Sequence, residues 1–492
     1  MVENPVIYEL NTWVWLDELS RRNDRAIDLA GVPPGDWDAI RELGFDAVWL
    51  MGVWERSPAG VAIALRNEGL MDSFRRALPD LRPDDVVGSP YCIRDYAADP
   101  HLGGPEALAA ARSALAERGM ALILDFVPNH VAPDHPWTSA HPEYFVRGDE
   151  GDLARDPSSF VRVGDSVLAC GRDPYFPAWP DVVQLNAFSD GLRSAAVETL
   201  TSIAAQCDGV RCDMAMLMLN EIFERTWGER AGARRESDYW PTVTGAVRRS
   251  RPDFVFIAEA YWDLEWTLQQ QGFDYCYDKR LYDRLVHDGA EQARMHLMAD
   301  VAYQRRLLRF LENHDEPRAA ATFPGDKARA AAVATLTQTG ARLVHEGQLE
   351  GRTVQLPVFL ARRPDEPVEG ELKAFYERLL TAVSDGVFRS GEWQLAERSG
   401  WEGNDTWQNL VCWGWRGDKP RKLVVVNLGD APASGHVSLP WDDLRGQTWR
   451  LADASSGEVY ERSGDDLRDG LYVALDPWAW HLFDLTPLNR KD

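Results

Sequence analysis

Four acids in this chain each close a short strand-like run. They are Asp125 in Met120-Ala-Leu-Ile-Leu-Asp125, Asp213 in Asp208-Gly-Val-Arg-Cys-Asp213, Glu259 in Phe254-Val-Phe-Ile-Ala-Glu259 and Asp315 in Phe310-Leu-Glu-Asn-His-Asp315. Arg211 stands two residues before Asp213, on the same side of a strand, where its guanidinium favours the ionised carboxylate. Alone, Arg-x-Asp is ordinarily a surface ion pair, and a lone strand-end acid is ordinarily a cap or loop residue. Four such acids together point to a pocket.

Converging carboxylates without a Cys or His cluster leave two chemistries. One is oxygen-ligated metal catalysis. The other is glycosyl transfer through an oxocarbenium-like transition state, which needs one ionised carboxylate and one protonated carboxyl. Arg211 suits Asp213 to the ionised role. Ile257 and Ala258 before Glu259, with Trp262 after it, form an apolar setting that raises a carboxyl pKa. His130 and His314 flank the scheme beside Asn129 and Asp315, where sugar hydroxyls would need donors.

The elements that must position these groups follow from periodicity. Strand-like runs occupy residues 5–10, 45–50, 120–125, 208–213, 254–259, 272–277, 307–311 and 341–346. Helical periodicity falls between them, over 37–43 with Asp36 as N-cap, 105–119, 191–206, 219–227, 240–249 and 327–339. Eight alternations with no antiparallel hairpin predict an α/β fold, a closed (β/α)8 TIM barrel with its active site at the C-terminal strand ends. Residues 131–180 are rich in Pro, Asp and Gly and read as an excursion after the third strand. Near residue 390 the period becomes alternating, which predicts an all-β C-terminal sandwich. The expected domains are the barrel's first part (1–130), an inserted domain B (131–180), the barrel's second part (181–390) and the C-terminal domain (391–492).

Composition narrows the partners. The 492 residues carry a formal net charge of −25, which argues against nucleic acid and anionic membranes and suits a neutral substrate. Twenty Trp suit stacking on flat ligand faces. The six Cys form no C-x-x-C pair, so a zinc knuckle is not expected. No signal-like N-terminus and no apolar stretch of about 20 residues is visible, so the expected location is cytoplasmic.

The residues resemble the α-amylase family, glycoside hydrolase family 13. Asp125-Phe-Val-Pro-Asn-His130, Gly209-Val-Arg-Cys-Asp213, Ile257-Ala-Glu259 and Glu312-Asn-His-Asp315 resemble its four signature regions, in order. Tyr91, in Ser-Pro-Tyr-Cys-Ile-Arg-Asp95, resembles the aromatic beneath the sugar at the cleavage point. Asp181-Val-Val-Gln-Leu-Asn186 resembles the segment that closes domain B. The resemblance implies that Asp213 is the nucleophile, Glu259 the acid/base and Asp315 the transition-state stabiliser. Tyr91, Asp125, His130, Arg211 and His314 would bind substrate or Asp213. It implies no required cofactor; a structural calcium on Asn129 is the one metal it suggests.

Two departures stand out. Met216 and Leu217 occupy the positions of a Lys-His pair found in many amylases, and His345-Glu-Gly-Gln-Leu-Glu-Gly-Arg352 replaces a Tyr-Tyr-Gly-Glu loop. The implied activity is retaining hydrolysis of α-glucosidic bonds, in α-1,4-glucan or maltodextrin, through a glycosyl-enzyme on Asp213. The alternatives are a transglycosidase of the same superfamily, such as a glucanotransferase or maltosyltransferase, and a non-catalytic glucan-binding protein on the same scaffold.

Overall fold

Eight short strands, buried on both faces, close into a parallel barrel. They are β1 (Val6–Asn11), β2 (Ala47–Met51), β3 (Ala121–Phe126), β4 (Gly209–Cys212), β5 (Val255–Ala258), β6 (Tyr275–Tyr277), β7 (Leu307–Arg309) and β8 (Ala341–His345), in spatial order β1-β8-β7-β6-β5-β4-β3-β2. The computed structural model describes residues 2–417 and 421–488. Runs such as AVWLM and VFIA are apolar at every position because side chains fill the barrel on one face and meet helices on the other. Gly209 opens β4 for a steric reason. A Cβ there would meet the Val255 carbonyl oxygen at 2.9 Å and the Val255 Cβ at 3.0 Å.

Helices follow the predicted periodicity, with shifted ends. The helix expected over 37–43 runs Pro34–Glu42 after a Pro33 cap, and Asp36 lies inside its first turn. Pro34 is pre-set for a first helical turn, so the helix starts earlier than the Asp suggested. Asp36 instead pairs with Arg22, Nη2 to Oδ1 2.5 Å. Among the described residues no helix is long and apolar enough to cross a membrane.

The eight barrel strands pair in parallel, as expected, and antiparallel pairing enters in the connections between them. Trp54–Arg56 pairs antiparallel with Ile93–Ala98 between β2 and β3. The excursion after β3 is an ordered small sheet of His130–Val131, Phe160–Val163, Ser166–Gly171 and Trp179–Gln184. Val131, Phe145, Leu168 and Val183 give it a separate apolar core. Its last strand runs past residue 180 to Gln184.

The C-terminal region holds a six-stranded and a three-stranded antiparallel sheet. Leu410–Arg416 alternates cleanly. Leu410 and Cys412 face the core shared with Val437 and Leu439, while Val411, Trp413 and Trp415 join the barrel core. The indole Nε1 of Trp413 and that of Trp415 both donate to the Thr337 carbonyl, at 3.1 and 2.8 Å. Replacing one Trp by Phe leaves that carbonyl with one donor and is expected to cost about 1 kcal/mol. The double replacement Trp413→Phe/Trp415→Phe strips both donors and is expected to cost more than the sum of the singles, as read by urea unfolding. Strict additivity would show that the shared carbonyl does not matter.

Candidate active site

Barrel register brings the acids to one end. Arg211 on β4 lies opposite Asp125 on β3 and Ile257 on β5. The ladder continues one step further. The Asp213 amide donates to the Phe126 carbonyl (2.9 Å), and the Glu259 amide to the Cys212 carbonyl (3.1 Å). Asp213 and Glu259 therefore leave the sheet side by side.

Arg211 sits beneath them, 1 % exposed. Its Nη1 is 2.6 Å from Asp213 Oδ1, and its Nη2 is 2.8 Å from Glu259 Oε2 and 3.9 Å from Asp315 Oδ2. Its Nε donates to the Tyr277 hydroxyl at 3.2 Å. The guanidinium also lies over the rings of Tyr91 (5.0 Å) and Trp49 (5.4 Å). Burial opposes its charge, but Glu259, Tyr277, Tyr91 and Asp213 hold its pKa well above the ordinary value. One permanently charged cation thus serves three acids.

Glu259 and Asp315 differ in protonation. Burial pushes Glu259 up to about 7, against the lowering effect of Arg211. Its Oε2 also accepts the Met214 amide (2.5 Å), and its Oε1 accepts the Tyr261 hydroxyl (3.0 Å). Burial would raise Asp315 as well, but His314 and then Arg211 hold it below the ordinary carboxylate value. Asp315 is also the most open of the three, with 44 % of its side chain exposed. His314 Nε2 lies 2.9 Å from Asp315 Oδ2 and 2.6 Å from the Tyr91 hydroxyl. Its Nδ1 lies 2.5 Å from Glu9 Oε1. Burial would lower the His314 pKa, yet Asp315 and Glu9 raise it to about 10, so it is an imidazolium at neutral pH.

Backbone strain clusters here. Met214 (φ 42), directly after Asp213, and Trp262 (φ 64) and Asp263 (φ 62), three and four residues past Glu259, are non-glycine residues in the left-handed region. Such conformations cost on the order of 1–3 kcal/mol each and persist where surrounding structure enforces them. At Met214 the turn aims the amide at Glu259.

A cavity of about 470 Å³ opens above these groups, lined among others by Tyr91, His130, Trp179, Asp213, Glu259 and Asp315. A second cavity, of about 590 Å³, shares Met214 and Tyr261 with the first and reaches Phe176, Trp262 and Lys279. Tyr91 and His130, expected at the site from sequence, lie in the first cavity's wall. Asp125, Arg211 and His314 sit behind it. Asp125 accepts the Trp49 indole N–H (3.1 Å) and the Gly52 amide (2.9 Å), and burial lifts it to about 6. Burial lowers the His130 pKa, and Asn129 Nδ2 lies 3.3 Å from its Nδ1.

The Asn129 side chain, the residue expected at a calcium site, is engaged with Gln184. Its Oδ1 accepts from Gln184 Nε2 at 2.9 Å, and its Nδ2 donates to Gln184 Oε1 at 3.2 Å. The two amides satisfy each other, with no carboxylate among these contacts. Among the described residues no group of three or more His, Cys, Asp or Glu is placed to hold a metal.

Sequence reasoning missed Glu9, Tyr261, Tyr277 and Trp179. Glu9 carried a readable signal, as an acid near the end of the apolar run Val6–Asn11. Tyr261 lies two residues past Glu259. Trp179 sits in the excursion, where spacing says nothing about contact.

The chain matches the family described as "Alpha amylase, catalytic domain" over residues 21–411. It is 34% identical over 227 residues to an α-1,4-glucan:maltose-1-phosphate maltosyltransferase of Rhodospirillum rubrum, covering 45% of this chain and 27% of that protein. It is 24% identical over 452 residues to the α-amylase MalA of Haloarcula japonica (89% and 57%). It is 24% identical over 271 residues to an intracellular maltogenic amylase of Bacillus subtilis (52% and 42%). The chain thus spans between about a quarter and three fifths of these relatives' lengths. The crystal structure of a maltogenic α-amylase from Thermotoga neapolitana superposes with a TM-score of 0.69 at 21% identity, covering 99% of both chains. An α-amylase from Lactobacillus plantarum superposes at 0.67 and 21%, covering 98% of both. These likenesses at low identity carry the fold.

Removing the central cation has a signed consequence. Arg211→Met leaves the buried carboxyls without their counter-ion and is expected to cost about 3–5 kcal/mol at neutral pH. The freed acids gain raised pKa values in the fold, so the variant's stability falls as pH rises through them. Urea melts in mild acid and at neutral pH check this. An equal loss at both would contradict the arrangement.

Proposed function

The chain belongs to the α-amylase family, and on that premise we propose that it is a retaining glycosidase acting on α-glucosidic bonds of α-1,4-glucan or maltodextrin. The observation that carries this reading is the single guanidinium shared by Asp213 and Glu259. Two terminal nitrogens of one Arg hold two carboxyls only at short range. That suits the separation of about 5–5.5 Å of a retaining pair rather than the wider gap of an inverting pair.

The chemistry then follows from each group's state. Asp213 Oδ1 is held by Arg211, which leaves Oδ2 to attack the anomeric carbon. Glu259, with its pKa pushed up to about 7, is protonated in a large share of molecules near neutrality and gives that proton to the departing glycosidic oxygen. The C–O bond to the leaving sugar breaks as the bond to Asp213 forms. Water, deprotonated by Glu259, then attacks the anomeric carbon and releases Asp213. Asp315, anchored by the His314 imidazolium, and His130 bind hydroxyls of the sugar held over Tyr91. The six unpaired, buried cysteines suit a reducing cytoplasm.

Transfer to a sugar acceptor is the second reading. The adjoining cavity with Phe176 and Trp262, beside Glu259, favours it as a seat for an acceptor. Incubation with maltoheptaose separates the two, since transfer makes products longer than the donor and hydrolysis does not.

Asp213→Asn and Glu259→Gln are each expected to lower kcat on maltooligosaccharides by about 10²–10⁴-fold. Activity within a few-fold of the parent, with the fold intact, would falsify the assignment. Glu259 must hold its proton to act as acid, so kcat is expected to decline on the alkaline side with an apparent pKa near 7. A profile flat through that range would remove Glu259 from the acid role.

A further inference from the structure

Among residues that line neither of the two cavities at the acids, the C-terminal domain presents an aromatic platform that the catalytic reading leaves without a task. Trp401 is 47 % exposed and Tyr472 58 % exposed. Their ring centroids lie 6.2 Å apart with planes inclined by 33°. The His436 imidazole completes a triangle with them, 5.7 Å from Trp401 and 6.1 Å from Tyr472.

The rings stand on a built surface. In the three-stranded sheet, Ser399 pairs with His436 and His436 with Tyr472, so all three point to one face. Strand alternation puts Ser434 and Ser438 on that face, on either side of His436. Trp401 comes from a pinned turn. A Cβ at Gly400 would lie 2.0 Å from the Trp407 ring, so the turn packs tightly on that indole. The Asn404 amide N–H donates to the Trp401 carbonyl (2.9 Å), and Asn404 Nδ2 donates to the Ser434 carbonyl (2.9 Å).

We infer that this face is a second α-glucan binding site, separate from the catalytic cavity, that holds a polysaccharide chain while another stretch of it occupies the barrel. A pyranose offers an apolar ring face and a rim of hydroxyls. Two inclined, exposed aromatic rings supply stacking surfaces for successive sugars, and Ser399, Ser434, Ser438 and His436 supply hydrogen-bonding groups. The strand residues on this face include Glu397, which pairs with Arg294 at 2.9 Å, and among them no Lys or Arg; with that cation neutralised and a net charge of −25, an anionic ligand is disfavoured. The two half-exposed rings offer roughly 200 Å². A stable protein partner needs about 800 Å² on each side. The platform matches an oligosaccharide better than a second copy of the chain. The identity of the ligand rests on the proposed catalytic reading; the geometry of the platform does not.

The test uses the full chain carrying Asp213→Asn, which removes turnover, in native gels containing glycogen or soluble amylose. Retardation is expected to weaken by about tenfold when Trp401→Ala and Tyr472→Ala are added, and to be largely kept by Trp401→Phe. In the otherwise unmodified protein, kcat/KM of the Trp401→Ala/Tyr472→Ala variant on a short maltooligosaccharide is expected to stay within about twofold of the parent. A matching thermal melt guards against misfolding. Unchanged retardation in the double variant overturns the inference. So does a wild-type dimer that the double variant converts to monomer, because the face is then a self-contact. Cleavage of maltooligosaccharides without any retardation of the Asp213→Asn protein overturns this inference and leaves the catalytic reading standing. No cleavage and no retardation overturns both.

Discussion

The buried guanidinium of Arg211 is the interaction on which the site depends. A cation without solvent is unstable unless anions surround it, and acids crowded together are unstable unless a cation lies among them. Each half of the arrangement requires the other. The barrel supplies both, because adjacent parallel strands in register deliver Asp213 and Glu259 to neighbouring positions, one step past the ladder.

Sharing one cation among three acids has a chemical result. Arg211 lowers the Glu259 pKa, but burial outweighs it and leaves that carboxyl pushed up to about 7. Asp315 avoids that outcome because it has a second cation in His314, itself fixed in its charged form by Glu9 from the first strand. That second counter-ion is what sets Asp315 apart from Glu259.

Much of this was legible in the chain. Runs such as Phe254–Glu259 show both a doubly buried strand and the acid that ends it, because apolar continuity and strand-end chemistry are local. The Arg-x-Asp pair was legible as a pair, though its bridge to Glu259 was not, since that contact depends on register between strands distant in sequence. The small sheet after β3 shows a different failure. Phe160–Val163 and Ser166–Gly171 flank the two residues Gly164 and Asp165, a hairpin signal in plain view. The surrounding density of Pro and Asp concealed it. Glu9 was readable as a misplaced acid in an apolar strand, but its partner His314 lies 305 residues away.

The paired amides of Asn129 and Gln184 join the end of β3 to the last strand of the inserted sheet, the sheet that carries Trp179 into the cavity wall. An amide clasp has no charge to titrate and no ion to lose. This one link between the insert and the barrel is therefore made by neutral groups alone. One wall of the cavity keeps its shape from groups that the chain carries with it from synthesis.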